Sequence, residues 1–358
     1  MPPNMRSLAS LLLASLLSLT NAYDKTACNS SPDLCDVPYP SILHLGTHDS
    51  AFVRTTENSF STAANQYFPV KTQLSNGIRL LQNQIHLEGS DVRLCHTSCA
   101  LFDAGPLSDY LTDVAEWLEE NPSEVVTLLF ANLDKLGPDR LKPLYEKSGL
   151  DKLAYIPTGG LDTWPTLGEM IGNDTRLVTF VSLAGASGTY LMPEFDYIYE
   201  TSFENFAPEE LGCEHDRGAK LGMGLMNHFL YTAISMEMEL YSPNDTFAET
   251  LNDEVLENRL ENCTTEWGTK GGMVLLDFYN EGDAIAVVDK HNGVENPVNR
   301  EPVGEDPKKV ASDAAENVGL VGLVKDLKDG KEIPQGAWVW EAANWMGGWG
   351  KNGTVGRE

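Results

Sequence analysis

Short, nearly continuous apolar runs recur along the chain, separated by stretches with helical spacing. "SILHLG" (41–46), "IRLLQNQIHL" (78–87), "VVTLLFANL" (125–133) and "RLVTFVSL" (176–183) come first; "FDYIYETSF", "LGMGLMNHFL" and "GGMVLLDFYN" follow. Runs of this length without clean polar alternation predict strands of a parallel sheet covered on both faces. Between the second and third runs, Leu107, Leu111, Val114 and Leu118 repeat at helical intervals, and Asn121-Pro122 ends the pattern. "GDAIAVVDKHNG" (282–293) predicts another helix, with Asp283 near its start and Gly293 beyond its end. About eight strand-like segments alternating with helices predict an α/β fold, a (β/α)8 barrel of the TIM type, regular or distorted. An open doubly wound sheet is the alternative. There is no internal repeat and no glycine-rich phosphate loop of the nucleotide-binding type.

The ends differ from the middle. Residues 1–22 combine Arg6, an apolar stretch and the small cluster Thr20-Asn21-Ala22, the pattern of an export signal. The stretch is short for a membrane span, and the polar C-terminus argues against a lipid anchor. From residue 294 the chain becomes polar and proline-containing, as a linker or long loop would be. It ends in "GAWVWEAANWMGGWG", which holds four of the seven Trp residues. A tail packed on the barrel is the expected role, with an aromatic platform for sugar or lipid as the sharper alternative. The expected organisation is a signal at 1–22, a barrel at 23–293 and a linker with a Trp-rich extension at 294–358.

Composition narrows the setting. Six cysteines in an exported chain favour disulfides, and short separations suggest Cys28–Cys35 and Cys95–Cys99, leaving Cys213–Cys263. Asn29, Asn173, Asn244, Asn262 and Asn352 begin N-x-S/T triplets, so several are expected on exposed loops of a secreted, extracellular glycoprotein. A formal charge of −28 disfavours nucleic acid or anionic membrane as a broad electrostatic partner. No Cys/His spacing suggests a zinc site, and neither metal nor cofactor is implied.

Candidate chemistry lies at strand ends. In "LGTHDSAF" (45–52) a Gly-Thr turn presents His48 beside Asp49; "VRLCHTSCAL" places His96 after a short strand; "MVLLDFYN" ends a late strand at Asp277. In a (β/α)8 barrel such positions share one face, however distant in sequence. Two imidazoles and a carboxylate there are what acid-base chemistry requires: one group to take a proton, one to give it, and one to orient the first.

With these residues in view, the chain resembles the phosphatidylinositol-specific phospholipase C-like phosphodiesterases, in particular the single-domain bacterial type and its exported fungal relatives. "GTHDSAF", "QLSNGIRLL", "LCHTSC", "WLEENPSEVVTLLF" and "MVLLDFYNEGD" carry the resemblance over residues 41–292. It implies that His48 is the general base oriented by Asp277, and that His96 is the general acid. It further implies attack of an inositol 2-hydroxyl on the adjacent phosphorus, forming a cyclic phosphodiester and releasing diacylglycerol. Asp49 matches a carboxylate that supports a phosphate-binding Arg in the bacterial enzymes.

The match breaks at that Arg. The bacterial pattern resembles G-x-R-x-x-D-x-R, and here Arg79 keeps the first Arg while Gln82 replaces Asp and Gln84 replaces the second Arg. Losing such a transition-state contact typically costs about 2.7–4 kcal/mol. Three outcomes follow: another cation such as Arg54 or Lys71 enters the site, the substrate differs, or the protein binds without turnover. Period-two geometry puts Gln82, Gln84 and His86 on one strand face, where they can line a pocket for a hydroxyl-rich or phosphate ligand, or form a polar layer in the barrel.

Glu200 and Asn227 are candidate barrel-lining ligands, with His228 on the face opposite Asn227. His44 is expected in the core, and His215 and His291 have no assigned role. The leading expectation is a secreted phosphodiesterase acting on a phospholipid or polyol phosphodiester, a monomer touching membrane at most transiently. A secreted glycoprotein that binds glycolipid, phosphoinositide or sugar without turnover is the second, and metal-assisted phospholipid cleavage the third.

Overall fold

Every residue of Leu43–Thr47 (β1) is buried, as its nearly continuous apolar character predicts. The computed structural model describes residues 26–218, 221–235 and 240–307. The signal-like residues 1–22 and the Trp-rich extension lie outside them. After β1 come β2 (Leu80–Glu88), β3 (Asp91–Cys95), β4 (Asp103–Pro106), β5 (Val126–Ala131), β6 (Leu177–Val181), β7 (Met192–Pro193) and β8 (Ile198–Glu200). Then follow β9 (Arg217–Gly218), β10 (Met223–His228), β11 (Tyr231–Ser235), β12 (Leu240–Pro243) and β13 (Gly272–Leu276).

Neighbouring strands run β7-β6-β5-β2-β1-β13-β10-β8, all parallel. Read from β1, that is chain order around a curled sheet, the arrangement of a (β/α)8 barrel. Among the described residues no ladder joins β7 to β8; one helical turn, Glu194–Tyr197, stands at that seam. The barrel is therefore distorted and incompletely closed, and the doubly wound alternative does not apply. Helices Val70–Asn76, Leu107–Glu120, Pro138–Ser148, Leu256–Trp267 and Ala284–Asn292 cover part of its outside. Leu107–Glu120 buries Leu107, Leu111, Val114 and Leu118 and is capped by Asn121, as its periodicity predicts.

Side-chain alternation divides the core into two shells. Leu43, Leu45, Leu81, Leu128 and Val274 belong to the outer one, with helix residues Leu111 and Val288. Leu80, Leu129, Phe180, Leu225 and Leu275 belong to the inner one. Gly46 is required there, because a Cβ on it would lie 2.6 Å from Leu80 Cγ. The barrel floor is Tyr39, stacked on His44 at 4.1 Å and bonded to Thr127 Oγ1 at 2.6 Å. His44 is thus a core residue, its Nε2 2.9 Å from the Tyr39 carbonyl.

The cysteines pair as Cys28–Cys35, Cys95–Cys99 and Cys213–Cys263. Residues 294–307, expected to be linker-like, run against the barrel. Arg300 pairs with Asp289 at 2.6 Å, and Asn76 Nδ2 donates to the carbonyls of Glu301 and Pro302. Of the Asn-x-Ser/Thr positions, Asn173 and Asn262 are exposed. Asn29 is buried instead, because its Oδ1 accepts from Val125 N at 2.7 Å.

Candidate active site

His48 extends β1 by one step, its N–H donating to Leu276 O at 2.8 Å. Asp49 then turns the chain at φ 49°, a left-handed conformation tolerated by Asp better than by most residues. The turn is held from β2: Asp49 N donates to Gln82 Oε1 at 2.7 Å, and Ala51 N to Asn83 Oδ1 at 2.8 Å. Across the sheet, His48 Nδ1 lies 2.9 Å from Asp277 Oδ1, which also accepts from Asn65 Nδ2 at 2.9 Å. A carboxylate at Nδ1 fixes the tautomer in which Nε2 carries the lone pair. The ring stacks on Phe229 at 3.8 Å with 5° between planes, so its orientation is set from two sides.

His96 arrives from the other direction. It follows β3 inside the small loop closed by Cys95–Cys99, and its Nδ1 lies 2.5 Å from the Ala63 carbonyl. A carbonyl only accepts, so Nδ1 carries a proton and Nε2 faces the pocket. His96 Nε2 lies 3.4 Å from Asp49 Oδ2, and His48 Nε2 lies 3.5 Å from the same oxygen. Gln84 completes the group: its Nε2 donates to Asp49 Oδ2 at 2.8 Å and its Oε1 accepts from Thr97 N at 2.9 Å. Burial disfavours charge on His48, but Asp49 and Asp277 outweigh it and raise its pKa above the ordinary 6.5.

These groups open into a cavity of about 390 Å³. Its far wall carries Glu200 and Asn227 at the ends of β8 and β10, joined by Asn227 Nδ2 donating to Glu200 Oε2 at 3.2 Å. Arg217, on edge strand β9, donates to the same oxygen through Nε at 2.9 Å and Nη2 at 2.7 Å. Burial pushes the Glu194 carboxyl well above the usual carboxylate range, and its hydrogen bond to Glu200 adds to this. Burial acts the same way on Glu200, but that bond and the Arg217 charge outweigh it and hold Glu200 ionised.

Two candidates fall elsewhere. Arg79 immediately precedes β2, at the far end of its parallel-paired part from Gln84, about 16 Å away at roughly 3.3 Å per residue. There it pairs with buried Glu124 at 2.7 Å, bonds the Leu74 and Ile78 carbonyls and faces Trp117, so it is structural and not a substrate ligand. His86 shares the alternation of Gln82 and Gln84, but β2 leaves the parallel sheet after Gln84 and pairs with β3 from Ile85 onward. His86 therefore sits beyond the rim, 3.5 Å from Asp134.

Neither Arg54 nor Lys71 enters the cavity. Arg54 is buried against Asp245 and Phe278, and Lys71 pairs with Asp113 and Glu116 on the surface. His228, facing away from Asn227, bonds the Leu251 carbonyl at 2.8 Å. Among the described residues, no three His, Cys, Asp or Glu side chains gather to hold a metal ion. Asn65, Phe229, Glu194 and Arg217 are not marked by the sequence pattern, because they come from loops, a single helical turn or a two-residue strand.

The PI-PLC X family model, described as PI-PLC X 1, matches residues 34–292. A PI-PLC X domain-containing protein 1 of Arthroderma benhamiae is 34% identical over 303 residues, 80% of this chain and 96% of that relative. Another protein of that organism, named "Uncharacterized secreted protein", is 34% identical over 273 residues, 72% of this chain but only 61% of its own length. Among solved structures, the phosphatidylinositol-specific phospholipase C of Listeria monocytogenes superposes with a TM-score of 0.53 at 16% identity. The superposition covers 76% of this chain and 98% of that one. A mutant of the Staphylococcus aureus phosphatidylinositol-specific phospholipase C gives a TM-score of 0.54 at 15% identity, covering 73% and 94%. At these identities the likeness is one of fold.

Proposed function

This chain belongs to the PI-PLC X family, and from that premise we propose that it is an exported phosphodiesterase that cleaves an inositol phospholipid by paired histidine chemistry. The observation that carries the reading is the convergence of two imidazole Nε2 atoms within 3.5 Å of one Asp49 oxygen at a cavity, with Asp277 on the far side of the first ring. Export is supported by the signal-like residues 1–22, the three disulfides and the printed name of the secreted relative.

In this reading His48 Nε2 takes the proton of the inositol 2-hydroxyl as its oxygen forms a bond to phosphorus. Asp277 stabilises the imidazolium that results and keeps its ring in place. The bond from phosphorus to the glycerol oxygen breaks, and His96 protonates the departing alkoxide from Nε2. Because Nδ1 already carries a proton for the Ala63 carbonyl, His96 must hold both protons at that moment, a charge that Asp49 stabilises. The products are a cyclic inositol phosphodiester and diacylglycerol. Nucleophile and phosphorus belong to one molecule, so much of the acceleration comes from proximity.

The test is an assay of the purified protein on labelled phosphatidylinositol, glycosyl-phosphatidylinositol, sphingomyelin and glycerophosphodiesters, with and without chelator. Turnover of an inositol lipid that survives chelator and is abolished by His48→Ala is the expected result. Saturable binding without turnover on any of these would replace the enzyme with a binding protein.

A further inference from the structure

With Gln84 in the strand position of a phosphate-binding Arg, the two imidazoles face the cavity without a permanent cation from β2. Among the described residues that line the cavity, Arg217 is the one Lys or Arg. It belongs to neither of the strands that supply the histidines. It reaches the cavity on β9, which adds to the edge of β8 through the pair Glu200–Arg217.

Its approach is braced. Arg259 Nη2 donates to the Gly212 carbonyl at 2.8 Å, and Trp267 Nε1 donates to the Cys213 carbonyl at 2.9 Å. Cys213 is joined to Cys263 of helix Leu256–Trp267, and Asp216 N donates to Glu200 O at 2.8 Å. The guanidinium lies 4.8 Å from the centre of the Phe203 ring and 5.5 Å from that of Phe195, apolar faces that suit a weakly hydrated fork.

The bond to Glu200 uses Nε and Nη2, which leaves Nη1 for a further acceptor. Glu200 does not depend on Arg217 alone, since Glu194 and Asn227 also bond it. Glu194 is 2% exposed, and its Oε1 has no partner. If Arg217 swings toward an anion, Glu200 keeps the bond from Asn227 Nδ2. Glu200 and Arg217 line the same cavity as His48 and His96.

We propose that Arg217 is the cation that binds the phosphodiester, entering from the wall opposite β2 and replacing the guanidinium that position 84 does not supply. This rests on the reading above, and makes Arg217 a catalytic residue of the same reaction. A fork of nitrogens on the phosphoryl oxygens stabilises the charge that grows there as the new P–O bond forms.

Glycerophosphoinositol, a soluble phosphodiester, separates this chemistry from membrane binding. Arg217→Met and Arg217→Gln should lower kcat/KM by about a hundred- to a thousandfold, chiefly in kcat, with circular dichroism and Tm unchanged. Arg217→Lys should retain part of the activity. Adding Gln84→Arg to Arg217→Met should recover at least roughly tenfold, because a guanidinium again reaches the phosphate. Folded Met and Gln variants with activity within about twofold of wild type would overturn the proposal and leave the phosphodiesterase reading standing. If the wild type cleaves no phosphodiester, that reading fails and calorimetry with myo-inositol 1-phosphate decides this one. Binding weakened about tenfold or more in Arg217→Met supports it, while equal binding, or none by the wild type, overturns it.

Discussion

Gln84 Nε2 donates to Asp49 Oδ2 at 2.8 Å, the oxygen that the Nε2 atoms of both His48 and His96 approach. An Arg at position 84 would neutralise Asp49. An amide bonds it without cancelling its charge, so Asp49 acts on the imidazoles with nearly full strength. Asp49 therefore keeps the charge that, with Asp277, raises the pKa of His48.

That charge appears in the pH profile. Burial alone would favour neutral His48, yet Asp49 and Asp277 bring its pKa above 6.5. The base works only when unprotonated, so the acidic limb of kcat/KM should lie above the ordinary imidazole value. Asp49→Asn removes one of the negative charges that raise it and should move the limb to lower pH, read from a pH–rate profile on a soluble substrate. An unmoved limb would mean that Asp49 does not act on the base.

Asp277→Asn should fold normally and lose activity by on the order of 10³–10⁴, because an amide no longer enforces the tautomer that frees Nε2 of His48. Comparing Tm with kcat separates this from unfolding. A loss below about tenfold would show that Asn65 and Phe229 orient the ring without Asp277.

The Cys95–Cys99 disulfide joins cysteines four positions apart, in a short loop that holds His96. Chain entropy assigns so short a loop only about 2 kcal/mol of stability. The double change Cys95→Ser/Cys99→Ser should therefore lower Tm modestly, while reducing kcat about tenfold or more as His96 loses its fixed approach to Asp49. Calorimetry and turnover on the same sample test the split.

Stability should fall on acidification for a reason located in two core imidazoles. Burial pulls His44 down to about 4, and burial with Arg259 pulls His228 to about 3, against 6.5 for the free ring. Below pH 6.5 the unfolded chain takes up protons there that the folded chain refuses. Stability therefore rises with pH between about 4 and 6.5 and is lost as pH drops through that window, by up to about 1.4 kcal/mol per pH unit for each group. Surface carboxylates titrate in the same range, so the comparison is between variants. His44→Gln should flatten the dependence of Tm on pH relative to wild type.

The strands and the Leu107–Glu120 helix are legible in the sequence because burial on both faces and 3.6-residue spacing are local signals. Strand-end placement likewise brings His48, His96 and Asp277 to one rim from three separated motifs. Arg79 and His86 are misplaced by the same reasoning, since alternation gives the face of a residue but not its height in the barrel. That height depends on where β2 enters the parallel sheet and where it leaves for β3, which is set by pairing with strands far along the chain. Arg217 is invisible for a related reason: its position depends on a two-residue edge pair, a disulfide and Arg259, none of which leaves a pattern around it.

³¹P NMR of the products formed from phosphatidylinositol by wild type, His48→Ala and His96→Ala tests the paired-histidine reaction most directly. Wild-type protein should give a cyclic phosphodiester resonance, and both variants should lose it while their folds stay intact. A linear monoester as the first product, or a cyclic product formed undiminished by either variant, would contradict it.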